Sequence, residues 1–134
     1  MKIINLTEEQ AEYLEEQLDE YDRRHMPPVP DGAVRIGIEE DGKLIAGLDA
    51  CITAFRILYV STVFVEEACR RKGYGRQLMA AMEDRARAMG VNTVRLDTFD
   101  WQGKEFYESL GYTLAGSYRN EEDGYAEYFF LKRL

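Results

Sequence analysis

The stretch Arg70-Arg71-Lys72-Gly73-Tyr74-Gly75 constrains the fold of this chain more than any other. Before it, Ile57 to Val65 is almost wholly apolar or β-branched, a pattern that predicts a central strand buried on both faces. After it, Leu78, Met82, Ala86 and Met89 recur on one stripe up to Gly90, which predicts a helix over 73–89 with glycine just past its end. A strand that turns through basic residues and glycines into a helix start is suited to hold phosphate. The first amides of a helix have no intrahelical partner and carry partial positive charge. Gly73 and Gly75 let oxygens approach the backbone, and Arg70, Arg71, Lys72 and Arg76 add full charges.

The remaining elements follow from periodicity and turn chemistry. Thr7 is an N-cap for a helix running to about residue 22, with Ala11, Leu14, Leu18 and Tyr21 at helical spacing and Glu12, Glu15, Glu16, Asp19 and Glu20 on its outer face. Arg23 and Arg24 suit its negative end. Met26-Pro27-Pro28-Val29-Pro30 holds every proline of the chain and must be extended; it reads as a loop bordering a substrate pocket. Residues 33–40 and 43–55 are strands joined by the hairpin signal Asp41-Gly42, with Leu44, Ala46, Leu48, Ala50 and Ile52 expected on one face of the second. A strand at 91–98, a short helix at about 102–110 and an aromatic hairpin of 112–118 with 125–131 complete the order.

The 134 residues make one domain, 1–134. There is no run of about 18 apolar residues and the N-terminus lacks the apolar core of a secretory signal, so no membrane span is expected and the chain reads as cytoplasmic. A net charge of -8 argues against nucleic acid as a partner and leans towards a cationic ligand. Cys51 and Cys69, with His25 as the only histidine, form no zinc pattern, so no metal is expected.

A glycine pair alone is often only a turn. The dinucleotide-binding fingerprint would need a third glycine where Leu78 stands, and a nucleoside-triphosphate loop would need Gly-Lys-Ser/Thr. The remaining match is to the GNAT superfamily of N-acetyltransferases. Arg70, Gly73 and Gly75 fill its Gln/Arg-x-x-Gly-x-Gly/Ala signature, and Phe106-Tyr107-Glu108-Ser109-Leu110-Gly111-Tyr112 resembles its second element at nearly every position. Arg71 stands where many members have glycine, Asp100 where they often carry asparagine, and Gly103 where alanine is usual; Lys2-Ile3-Ile4-Asn5 is short for their first strand.

The resemblance implies the acyl-CoA N-acyltransferase fold: α/β, with a mostly antiparallel central sheet of about six strands, helices flanking it, and a splayed parallel pair at the cofactor cleft. It implies acetyl transfer from acetyl-CoA to a primary amine. The pyrophosphate would lie on the amides of 71–76, with Arg70, Arg71, Lys72, Gly73, Tyr74, Gly75 and Arg76 around it. Pantetheine would pair with Val63, Phe64 and Val65, and Asp100 and Gly103 would border the cofactor. Tyr107 is implied as the proton donor to the leaving thiolate. For a base, Asp49, Glu66, Glu67, Asp97 and Glu127 stay open, as does Cys69 as a reactive thiol beside two arginines. The acceptor stays open too: polyamine, protein N-terminus, lysine side chain, amino acid or aminoglycoside. The same features would serve a regulatory module that binds acyl-CoA without transfer, and the aromatic hairpin would also suit a homodimer surface.

Overall fold

The computed structural model describes residues 1–134. Six strands form one sheet in the order β1-β2-β3-β4-β6-β5. β1 spans Ala33–Glu40, β2 Lys43–Ala54, β3 Ile57–Val65, β4 Thr93–Phe99, β5 Thr113–Asn120 and β6 Tyr125–Arg133. Every neighbouring pair is antiparallel except β3 with β4. Those two are parallel because helix α2, Tyr74–Ala88, carries the chain back between them. The expected fold class is the observed one, with element ends moved by at most two residues. Asp41 and Gly42 turn the first hairpin with φ of 51° and 77°, the left-handed pair that a two-residue hairpin turn requires.

One face of the sheet is covered and the other is open. Val34, Leu48, Ala50, Leu58, Val60, Val94, Leu96 and Phe130 are buried against Leu78, Met79, Met82 and Ala86 of α2. Helix α3, Lys104–Ser109, sits on the same core through Phe106, Tyr107 and Leu110. On that side Glu83 is buried yet fully partnered: Lys132 Nζ lies 2.7 Å from its Oε1, and the Tyr112 hydroxyl donates to its Oε2 at 3.3 Å. A buried charge persists only when paired in this way. Lys132 also donates to the Leu110 carbonyl at 2.8 Å, so the same network pins the end of α3 to β6.

β3 is not buried on both faces, contrary to the apolar run that suggested it. Leu58 and Val60 point into the core, whereas Tyr59 is half-buried and Ser61 exposed. Leu44 likewise leaves the face its alternation assigned. A bulge between Ile38 and Glu39 shifts the β1–β2 register, so Leu44 is exposed and Ile45 is buried.

Helix α1, Glu8–Asp22, forms as its cap predicts. Thr7 Oγ1 accepts from the Gln10 amide at 3.1 Å and Gln10 Oε1 accepts from the Thr7 amide at 3.0 Å, a reciprocal capping box. Its apolar stripe nevertheless buries nothing: Leu14, Leu18 and Tyr21 are each more than half exposed. Residues 1–6 form no strand. No helix is long and apolar enough to cross a membrane.

Candidate active site

The site begins where β3 and β4 part. Their pairing covers only Ile57–Thr93, Leu58–Val94 and Tyr59–Arg95. Beyond Tyr59 the strands diverge, and β3 keeps only β2 as a neighbour. The fork-side backbone of residues 60–65 thus has no partner strand. The gap is a cleft of about 1120 Å³, walled by Val60 to Val65 on one side and by Leu96, Asp97 and Thr98 on the other. At the head of the fork the Tyr59 hydroxyl donates to Asp97 Oδ2 at 2.9 Å and ties the two strands together. Partial burial and the Asp97 carboxylate hold the Tyr59 phenol above its ordinary pKa.

The basic loop closes one mouth of the cleft. Gly73 caps α2 with φ of 85°, and the first helical bond runs from the Gln77 amide to the Gly73 carbonyl. The amides of 74–76 precede that bond and so lack intrahelical acceptors. Arg71, Gly73, Tyr74, Gly75 and Arg76 line the cleft, as do Arg70 and Cys69. Their side chains divide the work. Arg70 Nε donates to the Val65 carbonyl at 2.9 Å and its guanidinium lies over Phe64, so Arg70 fastens the loop to β3. Tyr74 donates its hydroxyl to Glu40 at the end of β1. Arg76 Nη2 reaches Ser109 Oγ at 3.2 Å and links α2 to α3. Lys72 is exposed and lies outside the lining.

Arg71 has φ of 64°, a left-handed conformation that costs a non-glycine residue about 1–2 kcal/mol. The glycine usual at this position in the resembling family meets that geometry without strain. Arg71→Gly should therefore raise stability slightly, by under about 1 kcal/mol once glycine's extra chain entropy is set against the relief. It should also weaken binding of a polyphosphate ligand several-fold by removing a cation. Thermal unfolding and calorimetric titration read the two effects separately.

Tyr107 lines the same cleft as the loop. Gly103 caps α3, and a Cβ placed there would meet the Tyr107 ring at 3.2 Å, so a glycine leaves room for this ring. The ring packs against Phe106, Tyr112 and Phe130. Burial pushes its phenol up to about 12, so it holds its proton throughout the physiological range. Gly103 itself donates its amide to Thr98 Oγ1 at 3.1 Å, which joins α3 to the end of β4.

Of the five carboxylates singled out as bases, Asp97 alone lines the cleft. Asp49 pairs with Arg35 at 3.2 Å on the β1–β2 side. Glu66 caps the short 3-10 turn at 67–69 and Glu67 opens it, both outside the cleft lining. Glu127 lies opposite Phe99 on β6, on the same face as Asp97. Asp100 does not line the cleft: its Oδ2 accepts from the Ala126 amide at 3.3 Å. Sequence reasoning passed over Gln102, whose Oε1 accepts from the Phe99 amide at 2.7 Å and which lines the cleft beside Trp101. Nothing in a short polar turn marks such a residue in advance. It also gave Tyr59 no role, because the tyrosine's partner is 38 residues away.

An aromatic and acidic group lies on the sheet face that Asp97 shares, and its Trp101 lines the cleft. Phe99 stacks on Trp101 at 4.7 Å between centroids, Tyr125 meets Phe99 edge-on, and Tyr118 meets Tyr125. The neighbouring Tyr125 hydroxyl and Glu127 carboxylate hold the Tyr118 phenol above its ordinary value.

Comparison with known proteins gives the following matches. The family model described as "Acetyltransferase (GNAT) family" matches residues 2–112. Blasticidin-S acetyltransferase of Streptomyces morookaense is 32% identical over 96 residues, which cover 71% of this chain and 70% of that protein. A crystal structure of an acetyltransferase from Bacillus cereus superposes with a TM-score of 0.93 at 29% identity, over 100% of this chain and 98% of its own. A Bacillus anthracis acetyltransferase solved in complex with acetyl coenzyme A shares the fold alone, with a TM-score of 0.69 at 14% identity over 83% of this chain and 67% of its own.

Proposed function

The chain belongs to the GNAT family of acetyltransferases, and on that premise we propose that it moves the acetyl group of acetyl-CoA to a primary amine on a small cationic acceptor. The observation that carries this reading is the fork: a parallel pair that parts after three residue pairs, with a basic helix start at one mouth and Tyr107 on its wall. Acetyl-CoA would set its pyrophosphate on the amides of 71–76, where Arg71 and Arg76 add charge. Its pantetheine would lie along Val63, Phe64 and Val65 as an added strand, because that backbone edge has no partner.

The chemistry follows from those positions. The acceptor nitrogen attacks the thioester carbon, a C–N bond forms and the C–S bond breaks. A backbone amide of β3 at the fork would stabilise the developing oxyanion. Asp97 takes the proton the ammonium must lose before it attacks, and releases it to solvent; the nitrogen's second proton, lost as the C–N bond forms, goes to the leaving thiolate by way of Tyr107, which donates one proton and regains one. The products are an N-acetyl amine and CoA thiol.

The cationic acceptor is supported by what borders the fork. Asp97 and Glu127 share one face with Phe99, Tyr118 and Tyr125, a mixture of carboxylates and aromatic faces that attracts an ammonium. Calorimetry with acetyl-CoA, followed by thiol release across a panel of amines, tests the whole reading. Saturable acetyl-CoA binding and turnover favouring polycationic over neutral amines are expected. Binding with no turnover on any amine would favour a regulatory acyl-CoA sensor, and no binding would remove both.

Asp97→Asn tests the base. A general base contributes about 100-fold or more, and an alkyl amine has a pKa near 10.4, so it deprotonates unaided as pH rises. The variant's deficit in kcat/KM should therefore be large near neutrality and shrink towards pH 10. A deficit that stays constant with pH would mean that Asp97 only positions Tyr59.

A further inference from the structure

The Glu83–Lys132 pair takes no part in the chemistry above, yet its bonds lead to the helix that carries Tyr107. We propose that the pair positions Tyr107, by holding the end of α3 so that the phenol stays in place in the cleft. The proposal rests on the reading of Tyr107 as donor to the leaving thiolate.

Helix α3 has only six residues, Lys104–Ser109, far too few to persist without outside support. Its start is held by the bond from the Gly103 amide to Thr98 Oγ1 at 3.1 Å, where Thr98 is buried beside Asp97. Its end is held by the pair. Lys132 Nζ donates at 2.8 Å to the carbonyl of Leu110, the residue that caps the helix, and a cation there also meets the negative end of the peptide dipoles. Glu83 accepts at 3.3 Å from the Tyr112 hydroxyl. The amides of Leu110 and Tyr112 both donate to the Tyr107 carbonyl at 3.1 Å. The two residues that the pair grips are therefore the two that grip the backbone of Tyr107. The Tyr112 ring also packs on the Tyr107 ring, with centroids 6.0 Å apart.

Stability alone does not account for charges at this place. Glu83 is only 6% exposed, and apolar residues of similar volume often replace a buried ion pair with no loss of stability. Apolar packing would not supply direction. The Lys132 ammonium is fixed between the Glu83 Oε1 at 2.7 Å and the Leu110 carbonyl, so α3 cannot slide along β6 without breaking a charged hydrogen bond. Glu83 belongs to α2, the helix whose first turn would hold the pyrophosphate. The pair thus ties the helix of the proton donor to the helix of the cofactor, and a reacting group displaced by about 1 Å can lose about 100-fold in rate.

Lys132→Met keeps much of the length of the side chain and removes both of its hydrogen bonds. It should lower kcat about 10-fold for thiol release from acetyl-CoA with the most active amine of the panel, and leave acetyl-CoA affinity by calorimetry nearly unchanged. In a Tyr107→Phe background the same change should have almost no effect on kcat, because residues acting as one unit do not add. An equal loss in both backgrounds would overturn the proposal, since it would report lost packing and not lost placement. Hydrogen exchange gives a readout that needs no substrate. The amides of Leu110, Gly111 and Tyr112 should exchange faster in Lys132→Met while those of α2 and the sheet stay protected; unchanged protection at all three would also overturn the proposal. If Lys132→Met fails to fold, Glu83→Gln combined with Lys132→Met leaves no buried charge unpaired. That double variant should fold and still lose kcat, because the Leu110 carbonyl remains unheld; wild-type kcat in it would overturn the proposal. Tyr107→Phe alone separates the two failures: unaltered turnover there removes the donor reading and any catalytic use of the pair, whereas exchange at 110–112 still decides whether the pair holds α3.

Discussion

Replacing Tyr107 by phenylalanine is expected to lower kcat about 100-fold while leaving acetyl-CoA affinity within about threefold, the low end of what a positioned acid contributes. The substitution removes one oxygen from a ring held by Phe106, Tyr112 and Phe130, so packing survives. The raised phenol pKa of about 12 shapes the mechanism. A thiol titrates near 8.5, so complete transfer from Tyr107 to a free thiolate would be uphill by roughly 5 kcal/mol. Tyr107 therefore acts chiefly as a hydrogen-bond donor to sulfur while the C–S bond opens, and yields its proton only as the attacking nitrogen supplies another. A phenol raised to about 12 stays protonated to higher pH than a free one, so Tyr107 causes no alkaline loss of activity below about pH 11. Steady-state rates of the wild type and variant against pH decide the matter; unchanged turnover in the variant on a good acceptor would leave Tyr107 a packing residue.

Gly75→Val should abolish useful acetyl-CoA binding while the chain still folds. A Cβ at this position would lie 3.1 Å from Phe106 Cζ, already tighter than ordinary contact, and valine adds two methyl groups beyond it. On one side the ring is forced out, at a cost of about 1–3 kcal/mol in stability. On the other, the branched side chain keeps a phosphate from the amides at the start of α2. Losing two hydrogen bonds to a charged group costs about 3 kcal/mol, or roughly a 100-fold weaker dissociation constant. Gly75→Ala should fall between, since Phe106 has only to give by a few tenths of an ångström. Calorimetry on both variants measures the series. Wild-type affinity in the valine variant would mean that the pyrophosphate does not use this helix start.

Most of what is local could be read directly from the residues. The turn into α2 at Gly73, the Asp41-Gly42 turn, the Thr7 cap and the stripe of α2 depend on neighbours within one or two turns, and each formed as its pattern predicted. The two motifs that identified the family, at 70–75 and 106–112, are contiguous stretches of this kind. Gly73 illustrates why: its left-handed backbone is a requirement of the turn, independent of what packs around it.

What needed the tertiary structure was every choice that depends on register or on a missing neighbour. Five carboxylates were equal candidates in sequence, and only Asp97 lines the cleft, because it lies two residues past the last β3–β4 pair, Tyr59–Arg95, where the strands part and the Tyr59 hydroxyl donates to it. A one-residue bulge turned Leu44 outward, something alternation cannot foresee because the extra residue is defined only by the partner strand. The apolar stripe of α1 foretold a helix correctly, yet no residue of that helix is buried. Periodicity states which side chains share a face; which surface covers that face is decided by the fold.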